Sequence, residues 1–468
     1  MNCESAHSKF IYWFWNTPFY HSIFSRFCHY QTSKKWLKYF RGDVTITLFY
    51  PRDPISHPTK ERTVYPMNPL KAAWCRAYQL GFRAALPVLP YREPEVLDSV
   101  KRIPVILKNK GIHAALLVTD HGVRSMGITG PLETAMHEAG LDCRVYDRTA
   151  ANPTVTDVEE ALKLYREGNC GAVIGFGGCS AMDCAKAVET RVAFPERSIR
   201  DMAGKLKIWK KAVPVFAVPT TAGTGSEATL AALILDEKSR KKLVIYDFSL
   251  IPEYAVLDPD NTLDLPPFFT ATTGMDAMTH AVEAFIGRST TAETRAWSLE
   301  AAQLITQNLE RAFRDGRDIE ARRNMLRASY LAGLSFTRSY VGYVHAVAHS
   351  LGGWYNMPHG LCNSVLLPYF LRAYGKSVYA PLKELAVACG VARPATAPSV
   401  AAELFIRKIE AMNAAMDIPG KLSGIRAEDI EMLAKRADRE GNPLYPVPRL
   451  MDARELERFY TLAAEHLD

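Results

Sequence analysis

The sequence predicts an α/β domain with a parallel sheet, followed by an all-helical domain. From Pro94 onward, short apolar runs alternate with helical patterns. Strands alternating with helices of about 10–15 residues indicate a parallel sheet with helices on both faces. After DPDNTLDLPP the strand signals nearly stop, and long amphipathic helical patterns follow. We therefore expect an N-terminal extension of uncertain role over residues 1–90, the α/β domain over 91–265 and the helical domain over 266–468.

Composition excludes several classes of protein. The chain has 468 residues, is 48% hydrophobic and carries a net charge of +7, much of it within the first hundred residues. No basic cluster stands beside stacking aromatic residues, so we do not expect a nucleic-acid partner. The nine cysteines are scattered without a CxxC pair, which favours a reducing compartment, and we expect a cytoplasmic protein. No apolar run reaches the ~18–20 residues of a transmembrane helix.

The first part of the chain is unusual. The segment KFIYWFWNTPFYHSIFSRFCHY is rich in aromatic residues but lacks the apolar core and cleavage site of a signal peptide. It has the composition of either a membrane-surface helix or an extension without a catalytic role. We favour the second interpretation, because the stretch beginning at Met67 looks like the start of the folded protein.

Strands and helices of the α/β domain follow in a regular order. The predicted helices are VLDSVKRIPVILKNKG, GITGPLETAMHEAG and TDVEEALKLYREGN, and the predicted strands are AALLVTD, CRVYD, CGAVIGFGG and VPVFAVP. Ligands of such sheets bind at the carboxyl ends of the strands.

Two of these strand ends carry polar loops. The first is GFGGCSAMDCAKA, in which glycines lead into a helix whose free N–H groups suit a phosphate, although the GxGxxG spacing is absent. The second is PTTAGTGSEAT, which clusters hydroxyl groups. These would bind a pyrophosphate, a ribose or an amide, or cap the next helix. Two such loops in one parallel sheet favour a bound nucleotide. The hydroxyl residues are Thr220, Thr221, Thr224, Ser226 and Thr229.

Asp120 ends the strand LLVTD. A carboxylate at this place either binds both ribose hydroxyls of an adenosine, favouring NAD over NADP, or caps the helix that begins at GVRSMG. The residues alone leave both interpretations open.

Five residues of the helical domain are candidates for a metal site. Asp276 and His280 are four apart in TGMDAMTHAVEAF, and His345 and His349 repeat that spacing in VHAVAHSLGGWYNMPHG. Residues four apart share one face of a helix. His359 follows after a Gly-Gly bend, on the turn-like tripeptide PHG. A carboxylate with imidazoles binds Zn²⁺, Fe²⁺, Co²⁺ or Mn²⁺.

The chemistry expected of this metal follows from its surroundings. HAVAH lacks the glutamate of the HExxH motif, so the general base of a metalloprotease is missing. A metal beside a nucleotide-binding sheet favours hydride transfer, in which the metal binds and polarises a substrate oxygen.

Taken together, these motifs resemble the iron-containing (group III) alcohol dehydrogenase family. LLVTD, GFGGCSAMD, PTTAGTGSE, TGMDAMTHAVEAF and VHAVAHSLGGWYNMPHG occur in family order, and NPLYPVPRLM is also similar. The resemblance covers roughly residues 90–465. It implies the dehydroquinate synthase-like fold, an N-terminal dinucleotide-binding domain and a helical metal-binding domain. It also implies an NAD(P)-linked alcohol dehydrogenase or aldehyde reductase acting on a primary alcohol or its aldehyde.

The resemblance assigns roles residue by residue. It implies that Asp276, His280, His345 and His359 bind Fe²⁺, with Zn²⁺ as the alternative. His349 falls on an active-site histidine that is not a metal ligand and is suited to relay a proton. The cofactor is expected to be NAD, with NADP as the alternative. Its implied contacts are Asp120, Asn152, Gly177, Gly178, Ser180, Asp183, Thr220, Thr221, Thr224, Thr229 and Lys242.

The chain departs from the family pattern at Cys179, where a glycine is common. Its side chain would crowd the pyrophosphate unless φ stays negative. The resemblance also implies that the strand near VLPYREPEVL pairs across a two-fold axis, so a homodimer is expected.

Two other functions remain as alternatives. A polyol dehydrogenase or a metal-dependent lyase would use the same fold, but a phosphate-bearing substrate should need several cations, and only Arg288 and Arg338 lie near the ligands along the chain. A non-enzymatic nucleotide or metal sensor should have lost a ligand or the threonine loop, and both are present.

Overall fold

Nine short strands form two sheets in the computed structural model, which describes residues 67–239 and 241–467. The predictions made for residues 1–66 lie outside the described residues. In chain order the strands are β1 (Glu95–Leu97), β2 (Ala114–Val118), β3 (Asp142–Tyr146), β4 (Val173–Gly177), β5 (Gly204–Lys205), β6 (Val215–Pro219), β7 (Ala231–Asp236), β8 (Lys241–Tyr246) and β9 (Tyr254–Val256).

The larger sheet is parallel throughout and has the order β1-β9-β6-β4-β2-β3. Strands β2, β4 and β6 are buried along their whole length, as expected where helices cover both faces of a sheet. Gly177 pairs with Pro219, so the polar loops after β4 and β6 begin side by side. The predicted parallel sheet is thus present, and its strand ends bring the two loops together.

The smaller sheet was not anticipated from the sequence. It has the order β5-β8-β7, with β7 and β8 antiparallel and β5 parallel to β8. Lys242, one of the residues implied to contact the cofactor, lies on β8 of this sheet.

Helices make up most of the remaining chain. They are α1 (Pro69–Ala85), α2 (Arg102–Asn109), α3 (His121–Ser125), α4 (Gly130–Glu138), α5 (Val155–Glu167), α6 (Cys179–Ala193), α7 (Ile199–Met202), α8 (Pro267–Ile286), α9 (Ala292–Arg314), α10 (Ile319–Ser339), α11 (Tyr343–Tyr355), α12 (His359–Tyr374), α13 (Tyr379–Ala388), α14 (Pro398–Ala415), α15 (Ile430–Gly441) and α16 (Ala453–Ala463). The last strand of the described residues ends at Val256, and α8 begins at Pro267. Among the described residues, no helix has the length and apolar character needed to cross a membrane.

Two local predictions were wrong. The first predicted helix was placed from Val96, but residues 95–97 pair with β9 and the helix begins only at Arg102. The Gly-Gly pair does not bend the chain, because α11 runs through it to Tyr355. The reversal occurs at Asn356, whose φ of 59° is the left-handed conformation that asparagine tolerates at a helix end. His359 is accordingly the first residue of α12 rather than part of an isolated turn.

Close backbone contacts join the threonine loop to the helical half. Gly225 has a φ of 61°, and a Cβ there would lie 2.6 Å from Gly333 Cα in α10. A Cβ at Gly223 would lie 2.5 Å from Thr273 Cβ in α8. Only glycine permits these contacts without strain. They place the loop after β6 against the helix that carries Asp276.

Candidate active site

Three buried side chains converge in the helical half. Asp276 and His280 lie on the same face of α8, and His345 enters from the first turn of α11. One ligand atom from each of the three lies within 4.8 Å of the others. This is the donor set and the spacing of a metal site.

His359 and His349 occupy different places around this cluster. His359 Nε2 lies 3.4 Å from Asp276 Oδ1, at the start of α12. The His349 ring lies 5.9 Å from that of His345, and its Nδ1 is 2.5 Å from Glu440 Oε1. The HxxxH pair is therefore divided, with His345 in the cluster and His349 beside it.

Charges in the cluster depend on burial and on Asp276. Burial lowers the pKa of His280 and of His359 to about 3, outweighing the opposite effect of Asp276. Burial opposes ionisation of Asp276, yet the surrounding histidines hold its pKa well below the ordinary value. Burial also opposes charge on His345, but the neighbouring carboxylates of Asp276 and Glu283 raise its pKa to about 9. The cluster thus offers one carboxylate and two neutral imidazoles, and a cation bound at His345 would replace the proton of that ring.

The His345 ring shows that these residues fit a metal. Its Nδ1 lies 2.6 Å from Glu283 Oε2. Its Nε2 is buried without a hydrogen-bond partner, 3.7 Å from Asp276 Oδ1. A buried nitrogen without a partner is costly unless a ligand satisfies it. A divalent cation between His345 and Asp276 would do so.

Glu283 holds His345 in place, and the sequence reasoning missed it. Its carboxylate also accepts hydrogen bonds from the backbone of Gly342 and Val344, at 2.8 and 2.9 Å. The available signal was periodicity, because Glu283 lies seven residues after Asp276 and three after His280 on the same face of α8. Asn363 was also missed. Its Nδ2 donates to Asp276 Oδ1 at 2.6 Å.

We expect Glu283→Gln to weaken metal binding. A carboxylate behind a ligating histidine fixes the ring and raises its basicity, and loss of such a partner weakens metal affinity about 10- to 100-fold. The measurement is a titration of the metal-free protein with Zn²⁺ against a competing chelator. Glu293→Gln is the control, because Glu293 pairs with Arg338 at an exposed position. Equal Zn²⁺ affinity in Glu283→Gln and the wild type would show that Glu283 does not support the site.

The glycine loop leaves room for a ligand at the start of α6. Gly178 is the N-cap and no side chain caps the helix, so its first N–H groups lack an intrahelical partner. A Cβ at Gly178 would meet no atom within 4 Å. Ser180 donates to the carbonyl of Ala151, which places the neighbouring half-buried Asn152 beside the same loop. This open helix end is suited to a phosphate.

Both interpretations of Asp120 are compatible with its position. Its Oδ1 accepts from Val123 N at 3.0 Å, so it caps α3. Its Oδ2 faces Gly177, since a Cβ on that glycine would lie 3.4 Å away. One carboxylate oxygen therefore caps the helix while the other lies at the phosphate loop.

The threonine loop divides into two parts. Thr220 lies directly after β6, and its N–H donates to Gly177 O at 3.0 Å. Thr221 and Thr224 follow it and are partly exposed. Thr229 instead accepts a hydrogen bond from the buried Lys186 at 2.9 Å. The first part of the loop faces the glycine loop. The later part is hydrogen-bonded to a buried side chain of the protein.

Asp183 is also engaged within the protein. It accepts from Ser226 Oγ at 3.1 Å and from Leu233 N at 3.0 Å. Burial lowers the pKa of Lys186 to about 8, against the effect of Asp183. Asp183 and Thr229 thus anchor the loop through protein contacts, so their expected role toward the cofactor is indirect.

Lys242 and Cys179 lie near the open end of α6. Burial lowers the pKa of Lys242, while Cys179 and Asp183 act in the opposite direction. Cys179 is the exposed first residue of α6, and its φ is not positive. Its side chain therefore fits the local backbone without strain.

Comparisons with known proteins agree with this arrangement. Residues 97–259 match the family model described as iron-containing alcohol dehydrogenase, and residues 270–463 match that of the Fe-containing alcohol dehydrogenase family, C-terminal. The chain is 39% identical to alcohol dehydrogenase 4 of Saccharomyces cerevisiae strain YJM789 over 71% of this chain and 86% of that protein. It is 36% identical to the NAD-dependent methanol dehydrogenase of Bacillus methanolicus over 72% and 89%. A crystal structure of 1,3-propanediol oxidoreductase superposes with a TM-score of 0.76 at 32% identity, covering 80% of this chain and 99% of that one.

Proposed function

The chain belongs to the iron-containing alcohol dehydrogenase family, and we propose that it interconverts a small primary alcohol and its aldehyde with NAD. The observation that carries this proposal is the buried group of Asp276, His280 and His345 beside a sheet whose strand ends suit a nucleotide. The relatives named above are an alcohol dehydrogenase and a methanol dehydrogenase, which supports a small alcohol.

We propose that Asp276, His280, His345 and His359 hold one divalent metal. Fe²⁺ is favoured by the family and Zn²⁺ by the ligand chemistry. When bound, such a metal lowers the pKa of an alcohol and polarises a carbonyl. Phe336 stacks on the His280 ring at 4.2 Å between centroids and supplies an apolar wall beside this proposed ligand.

We propose that NAD binds across the strand ends. The open end of α6 and the hydroxyls of Thr220, Thr221 and Thr224 suit the phosphates, and Asp120 suits the ribose. Asn152, Ser180 and Lys242 are proposed as further NAD contacts because they lie around the same glycine loop. Asp183 and Thr229 would shape this surface without direct contact. NAD is preferred to NADP because the Asp120 carboxylate repels a 2′-phosphate.

His349 is proposed as the residue that takes the alcohol proton during oxidation and returns it during reduction. Its side chain is 43% exposed, so the proton can pass on to solvent. An imidazole is suited to this because its ordinary pKa lies near neutrality.

The alternatives fit the site less well. A phosphate-bearing substrate would need cations near the metal, but Arg338 contacts Glu93 and Glu293 and stacks on Trp297. A sensor should have lost catalytic groups, and all of the predicted ligands are present. A polyol differs from a simple alcohol only in extra hydroxyls, so the substrate panel must include diols.

Two further proposals concern the protein in the cell. The seven cysteines of the described residues are free thiols, which supports the cytoplasm. Strand β1 lies at an edge of the larger sheet, which supports a homodimer formed across that edge.

The proposed function is tested by metal analysis together with a substrate panel. We expect one Fe²⁺ or Zn²⁺ per chain, oxidation of short primary alcohols and reduction of their aldehydes, with NAD preferred to NADP. Asp276→Asn controls for contaminating host dehydrogenases. A metal-loaded protein without turnover on any alcohol, diol or aldehyde, with either nucleotide, would overturn the proposal.

A further inference from the structure

A carboxylate from α15 reaches the exposed side of His349. Glu440 lies in the last turn of α15, and its Oε1 is 2.5 Å from His349 Nδ1 on α11. The hydroxyl of Tyr445 donates to the same oxygen at 2.8 Å. Two side chains from different parts of the fold therefore meet on one carboxylate oxygen.

The direction of these hydrogen bonds follows from Tyr445. Burial and the neighbouring Glu440 hold the pKa of Tyr445 well above its ordinary value, so its hydroxyl keeps its proton. Glu440 Oε1 is then the acceptor of the bond from Tyr445. An ionised carboxylate only accepts, so its other partner at that oxygen must also be a donor. With Glu440 ionised, the contact at 2.5 Å requires the ring proton of His349 to lie on Nδ1.

The bond to Glu440 determines how the His349 ring is oriented beside the proposed metal ligands. The ring stacks on that of His359, with centroids 5.0 Å apart and planes at 18°. The bond to Glu440 fixes its rotation, because Nδ1 must face α15. The second nitrogen, Nε2, is thereby left with its lone pair and turned away from Glu440.

We propose that Glu440 is a positioning residue for His349, which keeps the proton on Nδ1 and presents Nε2 as the proton acceptor. This rests on the proposed function. During oxidation the alcohol gives a hydride to the oxidised nicotinamide nucleotide and the proton of its hydroxyl to His349 Nε2. The aldehyde forms, and the imidazolium then releases the proton to solvent. During reduction His349 returns that proton to the oxygen.

The kinetic test is a double-mutant cycle between Glu440→Ala and His349→Ala. We expect Glu440→Ala to lower kcat about 10- to 100-fold at unchanged metal content, the size of effect seen when carboxylates that orient metal-binding histidines are removed. In the His349→Ala background the same substitution should have no further effect. Glu440→Gln, which retains an acceptor oxygen, should recover most of the activity. Glu431→Ala in the same helix is the control.

The second measurement does not depend on turnover. In Zn²⁺-loaded protein labelled with ¹⁵N-histidine, the signals of His349 are identified by their loss in His349→Ala. We expect Nδ1 to be protonated and Nε2 to be bare in the wild type, and the two tautomers to mix in Glu440→Ala.

Two results would overturn the inference. One is a proton on Nε2 instead of Nδ1 in the wild type. The other is an equal loss of kcat from Glu440→Ala with and without His349. A wild type that has the expected tautomer but turns over no alcohol would instead refute the proposed function and leave the positioning of His349 intact.

Discussion

Replacing His280 by alanine is expected to remove most of the metal and to slow alcohol oxidation at least about a thousandfold. A metal that polarises the reacting oxygen contributes several kcal/mol to the transition state, and each 1.36 kcal/mol is a factor of about ten in rate. His280 supplies one of the three buried donor groups that meet within 4.8 Å. Without it the remaining groups hold a divalent cation poorly.

Controls for this substitution must separate metal loss from damage to packing. The His280 ring lies between those of Phe336 and His345, at 4.2 and 4.5 Å between centroids. Alanine leaves a cavity there, so His280→Gln is made in parallel to preserve volume. His349→Ala should keep its metal while losing turnover. A normal metal content and a normal rate in His280→Gln would refute the assignment of His280 as a ligand.

Prediction from the sequence was most successful where the helical periodicity of side chains or the end of a strand fixes their relative positions. Asp276 and His280 are four residues apart, and helix geometry alone places them on one face. The same periodicity extends to Glu283, which the sequence reasoning overlooked. The glycine and threonine loops follow parallel strands, so their meeting was predictable once the sheet was recognised.

Contacts between distant parts of the chain could not be predicted in this way. The spacing of His345 and His349 suggests a pair, but it gives no sign that His349 Nδ1 contacts Glu440 Oε1, 91 residues further along the chain. The Gly-Gly pair looked like a bend, but the helix continues through it and the chain reverses only at Asn356. The small sheet was missed because β7 and β8 form a short local hairpin within an α/β pattern.

Asp120→Ser is expected to shift the ratio of kcat/KM for NAD over NADP by at least about a hundredfold toward NADP. The substitution removes charged hydrogen bonds to the ribose, which contribute about 1.5–3 kcal/mol each, and the repulsion of a 2′-phosphate. Serine is smaller and can donate to that phosphate. The measurement is the kinetics of one alcohol with each nucleotide at a fixed ionic strength.

Serine is chosen because Asp120 also caps α3 through Val123 N. Serine caps a helix about as well as aspartate, so the thermal stability should remain close to that of the wild type. Asp452→Ser is the matched control, since Asp452 caps α16 in the same way, with Oδ1 accepting from Glu455 N at 3.2 Å. It should leave the nucleotide preference unchanged. Asp120→Asn removes the charge but keeps the size of the side chain. An intermediate shift of the NAD/NADP ratio in this variant would separate the repulsion of the 2′-phosphate from the loss of hydrogen bonds to the ribose. If both Asp120 variants retain the wild-type ratio, Asp120 acts only as a helix cap and the preference for NAD must come from another residue.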